Sequence, residues 1–120
     1  LKQFGVEEPK EHDDFLTRYI EIVKANISNP ELDVSVIYEA LGMSRTNFYR
    51  KVKTVTGLSP IELIKNIRLE AGAKLLKESD MNISEIAQHI GFSSRSYFAR
   101  SFKAVYGMSP TEYQETKSQD

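Results

Sequence analysis

The sequence predicts an all-α chain: seven helices, arranged as two helix-turn-helix subdomains joined by a long linker helix. Three observations predict it. Residues 34–63 and residues 83–113 are near copies of one another. Apolar residues recur at helical spacing, with no convincing alternating run that would make a strand. The breaks between these runs carry glycine, serine and proline in the order that ends one helix and starts the next.

The elements follow in chain order. Asp13 or Asp14 can cap a first helix that turns Phe15, Leu16, Tyr19, Ile20, Val23 and Ile27 inward, and NISNP (26–30) should break it. In the first copy of the repeat, Val36, Ile37, Ala40 and Leu41 form a short helix stopped by Gly42, a residue suited to a left-handed helix end. Ser44 can cap the next helix, whose apolar stripe is Phe48, Val52 and Val55 and whose end is Gly57. In GLSPIEL (57–63), Ser59 can cap, Pro60 suits a first turn and Glu62 completes a capping box. A long helix over 61–79 follows, apolar at Leu63, Ile64, Ile67, Ala71, Leu75 and Leu76. It would be about 27 Å long, and its one breaker, Gly72, costs only about 1 kcal/mol relative to alanine. Arg68 and Glu70 are placed on its exposed faces. The second copy repeats the plan with Ile86, Ala87 and Ile90, then Gly91, a cap at Ser94, and a stripe of Phe98, Phe102 and Val105 ending at Gly107. GMSPTEY (107–113) opens the closing helix. The chain thus divides into a tail (1–12), a first subdomain (13–58), the linker helix (59–79), a second subdomain (80–116) and a short tail (117–120).

Composition removes several classes of function. The 120 residues are 40% apolar and 28% charged, which excludes a disordered or fibrous chain. There is no cysteine, so no disulfide framework or thiolate site is available. No apolar run approaches a membrane span, and the acidic opening LKQFGVEEPKEHDD is no signal peptide. Its run of Glu7, Glu8, Glu11, Asp13 and Asp14 reads as solvated linker. These features fit a cytoplasmic domain, even where a full-length protein is anchored in a membrane. His12 falls in the tail and His89 on the polar side of a short helix. Neither has a partner at metal or catalytic spacing, so no enzyme activity, cofactor or metal is expected.

Charge is distributed more tellingly than the net of -1 suggests. Residues 44–77 carry eight basic and two acidic side chains, and residues 94–107 carry three basic and none acidic. Patchy surface charge is common. Here, however, the basic residues share one face of the second helix in each repeat: Arg45, Thr46, Tyr49, Arg50 and Lys53, then Arg95, Ser96, Ala99, Arg100 and Lys103. In a helix-turn-helix motif the second helix lies in the DNA major groove. An arginine fork can bond guanine O6 and N7 together, worth about 1–3 kcal/mol of discrimination. Serine and threonine hydroxyls can donate or accept, and Ala99 can meet a thymine methyl. Lys53 and Lys103 suit phosphates, as do helix N-termini at Ser44 and Ser94, with Ser59 and Ser109 as further candidates. The long helix would hold the two reading helices apart, on the scale of the roughly 34 Å between major-groove segments on one face of DNA. Tandem copies in one chain impose no two-fold axis, so the expected site is asymmetric. A helical protein–protein interaction module is the alternative, with Tyr49 and Tyr97 as anchors.

IAQHIGFSSRSYFARSFKAVYGMSPTEY closely resembles the signature of AraC/XylS-type transcription regulators, and RLEAGAKLL resembles their linker helix. The likeness runs from about residue 13 to 115. It implies sequence-specific binding of double-stranded DNA and transcription regulation. It also implies that Arg45, Thr46, Tyr49 and Arg50, then Arg95, Ser96, Ala99 and Arg100, face the bases. Ala99 departs from the pattern, since it cannot hydrogen-bond through its side chain. LGMSRTNFYRKVKTVTGLSPIELIKNIRL resembles the output domains of hybrid two-component regulators. That would put a sensor or receiver elsewhere in a longer chain, with dimerisation through regions outside this stretch and RNA polymerase as a further partner.

Overall fold

The computed structural model describes residues 10–116, with side chains from residue 14 onward. Among them are seven helices: α1 (Lys10–Ala25), α2 (Val34–Ala40), α3 (Arg45–Thr56), α4 (Pro60–Glu78), α5 (Ile83–His89), α6 (Arg95–Tyr106) and α7 (Pro110–Glu115). The backbone forms two compact units. Of the described residues, one takes in those up to Asn26 and Leu32–Ile67; the other takes in Ile27–Glu31 and those from Arg68 on. α4 is continuous through the change from one unit to the other.

The first unit is built on aromatic packing. Phe48 is fully buried, stacked on Tyr19 at 5.6 Å and met edge-on by Phe15 at 6.3 Å. The Tyr19 hydroxyl donates to the Pro60 carbonyl at 2.9 Å, and burial pushes its phenol well above the ordinary range. That bond ties α1 to the start of α4 and satisfies a buried polar group that would otherwise be costly. In the second unit Phe98 and Phe102 sit at the centre. Phe102 stacks on Tyr106 at 4.4 Å and meets Tyr113 of α7 edge-on at 5.2 Å.

The punctuation behaves as its residue types require. Gly42, Gly57, Gly91 and Gly107 all take positive φ at the ends of α2, α3, α5 and α6. GLSPIEL and GMSPTEY both close as capping boxes. The Ser59 N–H donates to Glu62 Oε1 at 2.9 Å and the Glu62 N–H to Ser59 Oγ at 3.2 Å; Ser109 and Glu112 repeat this at 2.8 and 3.1 Å.

Several expectations are corrected. α1 starts at Lys10, so Asp13 and Asp14 lie inside it and not at its cap position. Acidic residues near a helix's positive end favour that earlier start. Glu11 and His12 are therefore helical as well, whereas Glu7 and Glu8 lie outside the described residues. Ile27 lies beyond α1 and packs against the second core. In α2, Asp33 caps by accepting from Ser35 N, and the buried residues are Val34 and Ile37. Val36 is 45% exposed, two residues round the helix from Val34, and Ala40 is exposed too. In α6, Val105 is 54% exposed where its counterpart Val55 is buried. Tyr106, stacked on Phe102, fills the inner side of that last turn, and Ser101 is buried instead.

α4 departs furthest. Glu70 is exposed as expected, but Arg68 is buried. Leu69 and Ala73 join Leu76 in the second core, so the inward face rotates between the two halves of the helix. Gly72 is a packing requirement: a Cβ there would lie 2.9 Å from Ile90 Cδ1 and 3.2 Å from the Phe98 ring.

Candidate nucleic-acid interface

Each unit presents its second helix after a tight turn. In the first unit Met43 N–H bonds back to the Tyr38 carbonyl at 2.9 Å across the left-handed Gly42; in the second, Phe92 N–H bonds to Ala87 at 2.9 Å across Gly91. Ser44 then accepts from Asn47 N at 3.3 Å and Ser94 from Tyr97 N at 3.0 Å. Each hydroxyl, used as an acceptor by the cap, keeps its own hydrogen to donate outward. The extra residue of the second turn falls at Ser93, since Ser94 occupies the capping position that Ser44 holds in the first unit.

Beyond the caps, the two outer faces match. Arg45, Thr46, Arg50 and Lys53 are exposed on α3; Arg95, Ser96, Arg100 and Lys103 are exposed on α6. Tyr49 and Ala99 are half-buried at the equivalent position. Tyr49 lies edge-on to Phe48 at 5.9 Å, with the Arg45 guanidinium 5.1 Å above its ring. That ring holds Arg45 in place; Ala99 offers Arg95 nothing comparable. Lys53 donates to the Gly57 carbonyl at 3.0 Å, so it also stabilises the negative end of its own helix. Sequence reasoning passed over Asn47 and took Tyr97 only as an anchor for a protein partner; each is the third residue of its helix. Both are exposed beside the arginines, and Asn47 accepts from Arg50 at 3.5 Å. Their position three residues past a serine cap is a signal the sequence carried.

Neither α3 nor α6 contains an acidic residue. Each opens instead with an arginine, at the helix end whose dipole already carries positive charge. α4 and α7, which follow the two capping boxes, are the reverse. At the starts of α4 and α7 the Glu62 and Glu112 carboxylates accept from the N–H of Ser59 and Ser109. Hydrogen bonds from Ser59 and Ser109 hold those carboxyls below the ordinary range, with Lys53 and Lys65, and Lys103, adding smaller effects. At Ser59 and Ser109 a carboxylate already takes the N–H of the cap residue, which makes these starts less suited to phosphate than those of α3 and α6. Of the serine-capped starts, α3 and α6 are the ones left positive. Among the described residues no group of His, Asp and Glu could hold a metal ion, and His89 is exposed. No helix of the described residues is long and apolar enough to cross a membrane.

Fold and faces together define a tandem helix-turn-helix DNA-binding domain. A family model described as a helix-turn-helix domain matches residues 37–116. Histidine kinase P4 of Formosa agariphila is 36% identical over 107 residues, covering 89% of this chain and 8% of the kinase. The crystal structure of a transcriptional regulator of the "AraC-type DNA-binding domain-containing proteins" from Chromobacterium violaceum superposes with a TM-score of 0.84 at 25% identity, covering 92% of this chain and 98% of that one. The DNA-binding domain of AdpA, a global transcriptional factor solved with a target DNA, superposes with a TM-score of 0.76 at 25% identity, covering 87% and 94%. The chain belongs to the AraC-type helix-turn-helix family, a family of DNA-binding transcription-regulator domains and not of enzyme domains. It spans between 8% and 34% of the length of the first curated relatives it matches.

Proposed function

We propose that the chain is the DNA-reading output domain of a longer transcription regulator and that it recognises an asymmetric site through α3 and α6. The observation that carries this is the pair of acid-free helices, each capped by serine, opened by arginine and basic on its outer face. Arg45, Thr46, Tyr49 and Arg50 face one set of bases, and Arg95, Ser96, Ala99 and Arg100 another. Ser44, Lys53, Ser94 and Lys103 face phosphates. The two sets differ, so the two half-sites differ, each in its own major-groove segment. The division into subdomains at 13–58 and 80–116 about a linker at 59–79 belongs to the same reading, as does α4 acting as the strut.

The resemblance to a small part of a histidine kinase supports a sensor or receiver elsewhere in the same polypeptide, with this domain in the cytoplasm. Dimerisation and contact with RNA polymerase complete the reading. The half-buried Tyr49, packed beneath Arg45, is poorly placed to anchor a protein partner, which weighs against a pure interaction module.

Competition binding across single-base variants of a selected site tests the assignment. Arg95→Ala should cost about 1–3 kcal/mol and relax preference at one position. Lys103→Ala should weaken all sequences about equally and flatten the salt dependence. A uniform loss for Arg95→Ala would refute its base-reading role. Binding of a selected site no tighter than arbitrary DNA would refute the sequence-specific reading altogether.

A further inference from the structure

Arg68 is buried in the second unit, and the hydrogen-bond acceptors it reaches are backbone carbonyls. Nη1 donates to the carbonyls of Ile90 and Gly91, and Nη2 to the carbonyl of Asn29 at 2.7 Å. Its Nε–H is buried without a partner among the described residues. For stability alone this is a poor choice, because a buried unpaired charge is commonly matched or bettered by an apolar side chain of similar size. What a planar fork supplies, and an apolar side chain cannot, is a fixed orientation between two backbone segments.

The segments it joins matter. Ile90 and Gly91 form the turn that leads into α6, ending only four residues before Arg95. Gly91 takes φ of 85°, and the space where a Cβ would stand is filled by the Arg68 guanidinium and the Ile27 carbonyl. The next residue, Phe92, packs edge-on against Tyr97 at 5.2 Å and against Phe98 at 5.4 Å. A displacement of the turn would therefore pass through Phe92 into the first turn of α6. The first unit lacks this arrangement. Gly42 has nothing within 4 Å of its would-be Cβ, and the arginine on the preceding helix, Arg18, is exposed and reaches the Ala40 carbonyl at 3.4 Å.

We propose that Arg68 is a positioning residue for base recognition: its fork locks the turn before α6 and so aims Arg95 and Ser96, while α3 is aimed without it. This rests on the DNA-reading function proposed above. The full chain is tested as wild type, Arg68→Met and Arg68→Lys, by competition across single-base variants of a site selected with the wild type. Arg45→Ala and Arg95→Ala first mark which base positions belong to which helix. The expected result for Arg68→Met is a loss of at least about fivefold in discrimination at the Arg95-marked positions, the lower end of what a bidentate base contact supplies. Discrimination at the Arg45-marked positions and affinity for arbitrary DNA should hold. Arg68→Lys, which keeps the charge but not the fork, should fall between, and it decides the matter if Arg68→Met fails to fold. An unchanged profile, or an equal loss at both sets of positions, would overturn the proposal. A wild-type chain with no sequence preference would instead sink the function on which it rests.

Discussion

Arginine at the first residue of a helix opposes the dipole, and both α3 and α6 carry one there. Reversing that charge should stabilise the domain while destroying its DNA binding. Consider Arg95→Glu. Arg95 is exposed, follows the Ser94 cap directly, and has no acidic neighbour in its helix. A charge in the first turn is worth about 0.3–1 kcal/mol, unfavourable for a cation and favourable for a carboxylate. Exchanging one for the other should therefore gain about 0.6–2 kcal/mol, since arginine and glutamate have similar helix propensity. For a chain of this size the gain corresponds to a rise of roughly 2–8 °C in Tm. Arg45→Glu should gain less. Its guanidinium lies 5.1 Å above the Tyr49 ring, a cation–π contact worth about 0.5–1 kcal/mol that the carboxylate forfeits.

The assay is thermal and urea unfolding of both variants at low ionic strength, with DNA affinity measured in parallel. The expected order of stability is Arg95→Glu above Arg45→Glu, and Arg45→Glu at or above wild type, with both variants losing DNA binding. Adding salt should shrink the stability gain, because the dipole term is screened. An Arg95→Glu variant that melts at or below wild type would refute the reasoning. So would a larger gain at Arg45 than at Arg95.

Four further outcomes are expected. Gly42→Ala should cost about 1–2 kcal/mol for its left-handed backbone, whereas Gly91→Ala should cost several kcal/mol because it also displaces Arg68; urea midpoints compare them directly. Val55→Ala should cost about 1.5–3 kcal/mol, and Val105→Ala no more than about 0.5, despite their equivalent places in the repeat. Tyr19→Phe removes the hydroxyl's bond to the Pro60 carbonyl, which keeps its place in the helical ladder of α4, and should cost about 0.5–1.5 kcal/mol in chemical unfolding. Glu62 and Glu112 have lowered folded pKa values, so the stability they contribute is present above the ordinary carboxylate range and is lost as pH falls through those lowered values. Melts in acid should show that loss, and Glu62→Gln with Glu112→Gln should flatten it, as glutamine keeps the capping geometry without titrating.

The features legible in the sequence were those whose causes are local. A glycine that ends a helix, a serine that caps the next and a glutamate three residues on all act within one turn, and each appears where its neighbours put it. The paired basic faces were legible for the same reason: helical spacing alone assigns them opposite Phe48 and Phe98. The start of α1 and the inner face of α2 were misjudged locally, but the larger misjudgements depend on distant partners. Arg68 looks like an ordinary exposed helix arginine until the carbonyls of Asn29 and Gly91, 39 and 23 residues away, are seen around it. Gly72 looks like a tolerated weakness until Ile90 and Phe98 close over it. Val105 has the right periodicity to be core, yet Tyr106 and Tyr113 take its place through an aromatic cluster that periodicity does not encode.

The two repeats differ most in how they hold the helix proposed to read DNA. In the first unit the hold comes from the helix itself: Tyr49 packs edge-on to Phe48 and carries Arg45 on its outer side. Its turn stands in open space at Gly42. In the second unit the position of Tyr49 is taken by Ala99, and the hold moves behind the helix, to the turn gripped by Arg68. The two exchanges go together physically. An arginine fixed by a ring on its own helix needs less from the turn beneath it. An arginine beside an alanine gains all its placement from the helix backbone, and that backbone must then be fixed by something else. A ring at residue 99 should therefore partly relieve the need for Arg68. In an Arg68→Met background, Ala99→Tyr should restore part of the preference lost at the bases assigned to Arg95 in the proposal, and in the wild-type background it should add little. Equal effects of Ala99→Tyr in both backgrounds would mean that the two supports act independently, and the compensation argued here would be wrong.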